Sequence, residues 1–258
     1  MRTAAVVRVF TRGAEGGNHL GVVTDVAGLE GASMQAIAAH LGFSETIFLD
    51  GNVDEVAVRI FTPTTELPFA GHPLVGSAWV LGGPGVLVCG VGRIPYAADR
   101  DGATVRVPMA TTVVRADASD IASHARLPEP VRAWWAHMPI PYLVVQAAAA
   151  EDVASATPDI GALAATEARD ATMLFARDGD AVRARFFAPG LGVDEDPATG
   201  SAAAGLAAVL RSEGETEGSA VITQGVEIGH PSEIRIEWDG DTVALCGSVR
   251  PEDARELP

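Results

Sequence analysis

The 258-residue chain contains no lysine; all 18 of its basic residues are arginine. That absence removes Schiff-base catalysis, pyridoxal phosphate on an internal lysine and the lysine of a phosphate-binding P-loop. Cysteine is almost as scarce. Cys89 and Cys246 are too few for a disulfide scaffold and fall outside any C-x-x-C pair or zinc spacing, which fits a reduced compartment. Positive charge is outweighed, with 34 acidic residues against 18 basic and a net charge of −16. Such a field repels phosphate backbones and anionic membrane surfaces, so neither nucleic acid nor membrane is expected as a partner. Long apolar runs are missing too. The N-terminal run breaks at Arg8, short of a signal-peptide core, and the Ala-rich stretch from Ser201 to Leu210 is too short to span a bilayer. The expectation is a cytoplasmic protein.

What is present is globular: 48% hydrophobic and 20% charged residues supply one large core or two small ones. Internal repetition decides between them. Val58-Arg-Ile-Phe-Thr-Pro63 returns as Ala184-Arg-Phe-Phe-Ala-Pro189, half a chain later. The flanks match as well: Ile47–Gly51 with Leu174–Gly179, Gly76-Ser-Ala78 with Gly200-Ser-Ala202, and Asp101–Val105 with Asp239–Val243. Two related halves follow, residues 1–115 and 116–258, with the boundary between 116 and 130, where Ala, Ser, Asp and Pro displace the strand pattern.

Apolar alternation and turn signals predict strands at Val6–Phe10, Thr46–Leu49, Val56–Phe61, Val86–Val91 and Thr104–Val107. In the second half they fall at Tyr142–Gln146, Met173–Ala176, Val182–Phe187, Val221–Thr223, Ile234–Trp238 and Thr242–Cys246. Three helices are predicted. Ser33–Leu41 places Met34, Ile37 and Leu41 on one face, whereas His72–Leu81 and Thr199–Arg211 are rich in small residues and nearly free of charge. A helix apolar all round belongs inside a domain, so each half should wrap a curled sheet around a buried helix.

Chemistry is sought at the starts of those two helices. Their first N–H groups lack internal acceptors, and Gly71–His72 and Gly200–Ser201 are placed to cradle a carboxylate or oxyanion. Two such ends facing each other would make one shared site between the halves. Asp196, followed by Pro197, also fits a helix N-cap, and Thr199 and Ser201 fit simple capping hydroxyls. His72, at a positive helix end, favours a neutral ring that can donate and accept, although a lone histidine more often has a structural role. Glu45 sits inside an apolar strand entrance, where burial raises a carboxyl pKa toward the working range; an edge-strand charge or a capping glutamate is the alternative. A metal is not expected, because Asp194-Glu-Asp196 has neither a calcium-loop pattern nor paired histidines. Gly90-Val-Gly92 lacks the remainder of a dinucleotide fingerprint, and no G-x-S-x-G elbow occurs.

Taken together, certain residues resemble the phenazine-biosynthesis PhzF-like family. They are Val9-Phe-Thr with Gly17-Asn18, Ser44-Glu-Thr46, the run from Phe61 to Pro73, Phe187-Ala-Pro with Asp196-Pro-Ala-Thr-Gly-Ser201, and Gln224-Gly225 with Pro231-Ser232. The resemblance covers almost the whole chain. It implies an α+β, diaminopimelate epimerase-like fold: two pseudo-symmetric domains, each a curled mixed sheet or barrel around a central helix, with the site in the cleft between them. It also implies a homodimer and acid/base isomerisation of a small carboxylate without metal or organic cofactor. Glu45 is then the proton shuttle, His72 and Asp196 its catalytic partners, and Asn18, Gly71, Gly200 and Ser201 bind substrate. Two positions depart from the family pattern, His19 in place of proline and His230 in place of arginine, and a different substrate follows if they line the cleft. Related epimerases carry a cysteine at each helix start; this chain does not, which disfavours two-cysteine racemisation. A cofactor-free amino-acid epimerase and a non-catalytic binding or regulatory protein are the alternatives to an isomerase.

Overall fold

The computed structural model describes residues 2–52, 55–110 and 112–258. The first half contains β1 (Thr3–Val9), β2 (Asn18–Val23), α1 (Gly31–Leu41), β3 (Glu45–Asn52), β4 (Glu55–Phe61), β5 (Glu66–Leu67), α2 (Gly71–Leu81), β6 (Gly83–Cys89), β7 (Gly92–Ala98), β8 (Gly102–Pro108) and β9 (Thr112–Arg115). The second contains α3 (Ser119–His124), β10 (Arg132–His137), β11 (Pro141–Gln146), α4 (Ala150–Ser155), α5 (Ile160–Ala164), β12 (Thr172–Asp178), β13 (Ala181–Ala188), β14 (Val193–Asp196), α6 (Gly200–Ser212), β15 (Glu217–Gln224), β16 (Ser232–Asp239) and β17 (Thr242–Glu256).

The same pairing sequence occurs twice. In the first half β1 and β2 are antiparallel, β2 and β3 parallel, β3 and β4 antiparallel, β4 and β6 parallel, and β6, β7 and β8 antiparallel in turn. The second half repeats that order through β10, β11, β12, β13, β15, β16 and β17. Each ring closes by borrowing a strand. β17 runs beside β8 from Thr242↔Pro108 to Ser248↔Gly102, then continues along β1 from Val249↔Val9 to Glu256↔Thr3, closing the first barrel. Reciprocally, the chain leaving β8 enters β9, which pairs with β10 and closes the second. β8 and β17 belong to both rings, while β5 and β14 each pair along one side only, with β4 and β13.

This exchange corrects one part of the sequence reading. A cut at 116–130 divides the chain into like halves but not the sheet, which is continuous through β8 and β17. The repeat identifies equivalent strands; it carries no information about which copy each final strand closes. Within the boundary segment Ala118, Ala122, Ala125 and Leu127 are buried in a cluster with Leu143, Val145 and Val153.

Each barrel encloses one helix. α6 is buried from Gly200 through Leu210, and α2 from Gly71 through Ala78, because their Ala, Gly and Ser side chains let strands approach closely on every side. α1 is amphipathic as expected, burying Met34, Ile37 and Leu41 against the outside of the first barrel. Cys89 and Cys246 are unpaired and half-buried. Among the described residues no helix is long and apolar enough to cross a membrane, and no three His, Cys, Asp or Glu side chains gather as metal ligands.

Candidate active site

The N-termini of α2 and α6 meet. A Cβ added to Gly71 would lie 2.5 Å from Gly200 C and 2.6 Å from Ser201 N, so Gly71 requires glycine for backbone to pass backbone, while Gly200 is tight at 3.0 Å from Gly71 Cα. Neither helix has a side-chain cap: Ala70 and Thr199 occupy the N-cap positions without bonding the first turn. The N-cap reading of Asp196 is therefore corrected. It is the last residue of β14, and α6 begins four residues later at Gly200. Its carboxylate faces the helix junction and accepts from two side chains. Thr199 Oγ1 donates to Oδ2 at 2.5 Å and Asn18 Nδ2 donates to Oδ1 at 2.9 Å.

Asn18 ties the two halves together. Its Nδ2 also donates to the Ala198 carbonyl at 3.2 Å, and its Oδ1 accepts from Ser44 Oγ at 2.9 Å, which together fix the amide orientation. Nδ2 lies 3.5 Å from His72 Nδ1. Gln224 completes the support from β15, donating through Nε2 to the Asp196 carbonyl at 2.7 Å and to Thr199 Oγ1 at 3.0 Å. Neither Gln224 nor Thr199 was assigned a role from sequence beyond a family mark and a cap. A glutamine near the end of a strand gives no local signal of what its amide will brace.

Glu45 opens β3, and its Oε2 lies 3.3 Å from His72 Nδ1, outside hydrogen-bond alignment. Its side chain is 16% exposed and that of His72 only 3%. Burial raises the Glu45 pKa to about 7. Asp196 also reaches about 7, through burial and then the Glu45 charge, against the hydrogen bonds that favour its ionised form. Burial drives His72 down to about 4, overriding the opposing Asp196 charge, so its imidazole is neutral near pH 7. Two carboxyls that titrate near neutrality beside a neutral imidazole are equipped to exchange protons with a third party.

A largely apolar cavity, partly open to solvent, reaches this cluster between the halves; Phe69, Ile140 and Phe186 line it together with Glu45, Asp196 and Ser201. His72, Asn18, Gly71 and Gly200 do not themselves line it. The structure thus brings all seven candidate residues to one place, but Asn18 braces Asp196, and the two glycines are explained by helix packing. His19 and His230, far apart in sequence, come together as well. Their rings meet edge to face at 6.1 Å beside a second cavity whose wall includes Asn18 and Asp196. His19 stacks on Phe43 at 5.6 Å and approaches Glu252 at 3.1 Å.

Paired mixed-sheet barrels around helices whose N-termini converge on buried acids form the diaminopimelate epimerase-like fold. A solved Bacillus anthracis phenazine biosynthesis protein of the PhzF family shares it with a TM-score of 0.84 over 100% of this chain and 99% of that one, at 19% identity. The chain belongs to the PhzC-PhzF family of phenazine biosynthesis-like proteins, whose model matches residues 7–249. Among its relatives are an uncharacterised isomerase of Mesorhizobium japonicum, 34% identical over 89% of this chain and 88% of the relative. Another is the trans-2,3-dihydro-3-hydroxyanthranilate isomerase of Pseudomonas aeruginosa, 33% identical over 95% and 94%. The protein is an isomerase.

Proposed function

We propose that the protein moves a proton between two carbons of a small unsaturated carboxylic acid, without a metal or organic cofactor. The observation that carries this is Glu45: a carboxyl on the cavity wall whose pKa of about 7 lets it both take and return a proton at neutral pH. Asp196, on the cavity wall, orients the substrate, and His72, 3.3 Å from Glu45, adjusts the protonation of that carboxyl. The uncapped ends of α2 and α6, with Ser201, hold the substrate carboxylate where helix dipoles favour negative charge. The compound named for the Pseudomonas relative, trans-2,3-dihydro-3-hydroxyanthranilate, has the required chemistry. A binding protein has no use for a destabilised acid on the wall of its pocket, which argues for turnover.

The test is NMR of that compound incubated with the protein in heavy water, with and without chelator. Isomerisation with deuterium at the carbon that gains hydrogen, unaffected by chelator, is expected; unchanged substrate without deuterium contradicts the reading. One observation favours a second reading. Asp196, like Glu45, titrates near 7, and a pair of such bases also suits an amino-acid epimerase. Chiral analysis of amino acids after incubation separates the two, because only the epimerase yields the opposite enantiomer.

A further inference from the structure

Ser201, which holds the substrate carboxylate in the scheme above, has a buried hydroxyl partner on the same cavity wall that the scheme does not use. Tyr142, on β11 of the second barrel, is 5% exposed, and its hydroxyl is 3.0 Å from Ser201 Oγ. Both side chains line the cavity alongside Glu45 and Asp196. The direction of the bond follows from acidity, since a phenol is a better donor than an aliphatic alcohol. Burial, with the charges of Glu45 and Asp196 adding to it, pushes the Tyr142 phenol up to about 12, so it remains protonated throughout the physiological range. A serine hydroxyl has one hydrogen and two lone pairs. Ser201, accepting from Tyr142, therefore keeps its own hydrogen to donate, in the first turn of an uncapped helix.

We propose that Tyr142 is a positioning residue that, by donating to Ser201 Oγ, aims the Ser201 hydrogen into the cavity at the carboxylate of the substrate. This rests on the reading of Glu45 as proton shuttle. In that step the C–H bond breaks, the proton passes to Glu45, and the electron pair enters the conjugated system and loads the carboxylate oxygens with charge. Return of the proton to a second carbon reverses the flow, so no oxidant or co-reactant is required. A donor aimed at those oxygens strengthens as their charge grows, and a hydrogen bond received from Tyr142 makes Ser201 a stronger donor.

The experiment compares Tyr142→Phe, Ser201→Ala and the double variant. Two quantities are read: the Kd for 3-hydroxyanthranilate, an unreactive ring carboxylate, and kcat/KM with trans-2,3-dihydro-3-hydroxyanthranilate. Phe keeps the ring in place against Phe186. Ser201→Ala should lower kcat/KM by about 10² or more, the usual loss for one donor to a developing oxyanion. Tyr142→Phe should lower it by roughly 10-fold, more through kcat than through Kd, and should cause no further loss when Ser201 is already Ala. Equal losses in both backgrounds overturn the proposal, and a general loosening of the core would produce that result. So does a Tyr142→Phe protein with wild-type kcat/KM. Wild-type protein that neither binds nor turns over these compounds contradicts the proposed function itself; binding and turnover indifferent to Tyr142 overturn only the pair.

Discussion

Glu45, Asp196 and His72 each make stability depend on pH, with opposite signs. In the folded chain the two carboxyls titrate at about 7, against about 4 for free side chains. Between those limits the folded protein binds more protons than the unfolded one, so their stabilisation is complete below the unfolded pKa and is lost as pH rises through 7. His72, held down to about 4, acts in reverse: its contribution is present above the ordinary histidine range and is lost as pH falls toward 4. Glu45→Gln should therefore be more stable than wild type at pH 8, by on the order of 1–3 kcal/mol, and nearly equal at pH 5. Denaturant titrations at the two values check this; a wild type more stable than the variant at pH 8 contradicts it. The wild-type kcat/KM should rise with pH through about 7 as Glu45 becomes a base. These three residues were legible in sequence because unusual surroundings mark them: an acid in an apolar strand, a histidine between glycine and proline, an acid before a charge-free helix. Tyr142, Thr199 and Gln224 were not. Their roles come from atoms that meet only after both barrels close.

At the scale of elements, the meeting of α2 and α6 organises the site, and its tolerances are unequal. A Cβ on Gly71 falls within 2.7 Å of three backbone atoms of Gly200 and Ser201, whereas one on Gly200 has no neighbour nearer than 3.0 Å. Backbone cannot yield as a side chain can, so Gly71→Ala should separate the helix ends. A stability loss of about 1–3 kcal/mol is expected, as for other overpacked sites, with a large fall in kcat/KM. Gly200→Ala should be milder in both. Equal effects, measured by thermal unfolding and steady-state kinetics, would show that the helix contact does not govern the site. The three long helices were read because periodicity and composition both mark them; α3, α4 and α5 were missed, since five or six residues hold too little of a helical period to show. Strands fared unevenly. β2, Asn-His-Leu-Gly-Val-Val, is buried on both faces apart from His19 and so has no alternation to read. The far end of β17, Arg-Pro-Glu-Asp-Ala-Arg-Glu, is exposed and polar; it is a strand because β1 offers it a backbone partner, and side-chain pattern plays no part.

For the molecule as a whole, the exchange of final strands makes each half depend on the other. Residues 1–115 lack the strand that closes their barrel along Thr3–Val9, and residues 116–258 lack β8 and β9. Each half expressed alone should fail to fold cooperatively, while the two together should reassociate and regain activity. Circular dichroism melts of the fragments, singly and mixed, test this, and a sharp transition in either fragment alone contradicts it. The repeat was visible in sequence and the exchange was not, since equivalent strands offer equivalent edges and only the closed rings decide between them. The account as a whole turns on the Glu45 carboxyl, and turnover by Glu45→Gln tests it most directly, because Gln keeps the volume and a polar tip while removing the titratable proton. With the fold intact by its thermal midpoint, kcat should fall by about 10²–10⁴, and deuterium should no longer enter the product from heavy water. A folded Glu45→Gln protein with wild-type turnover and deuterium incorporation would contradict the account.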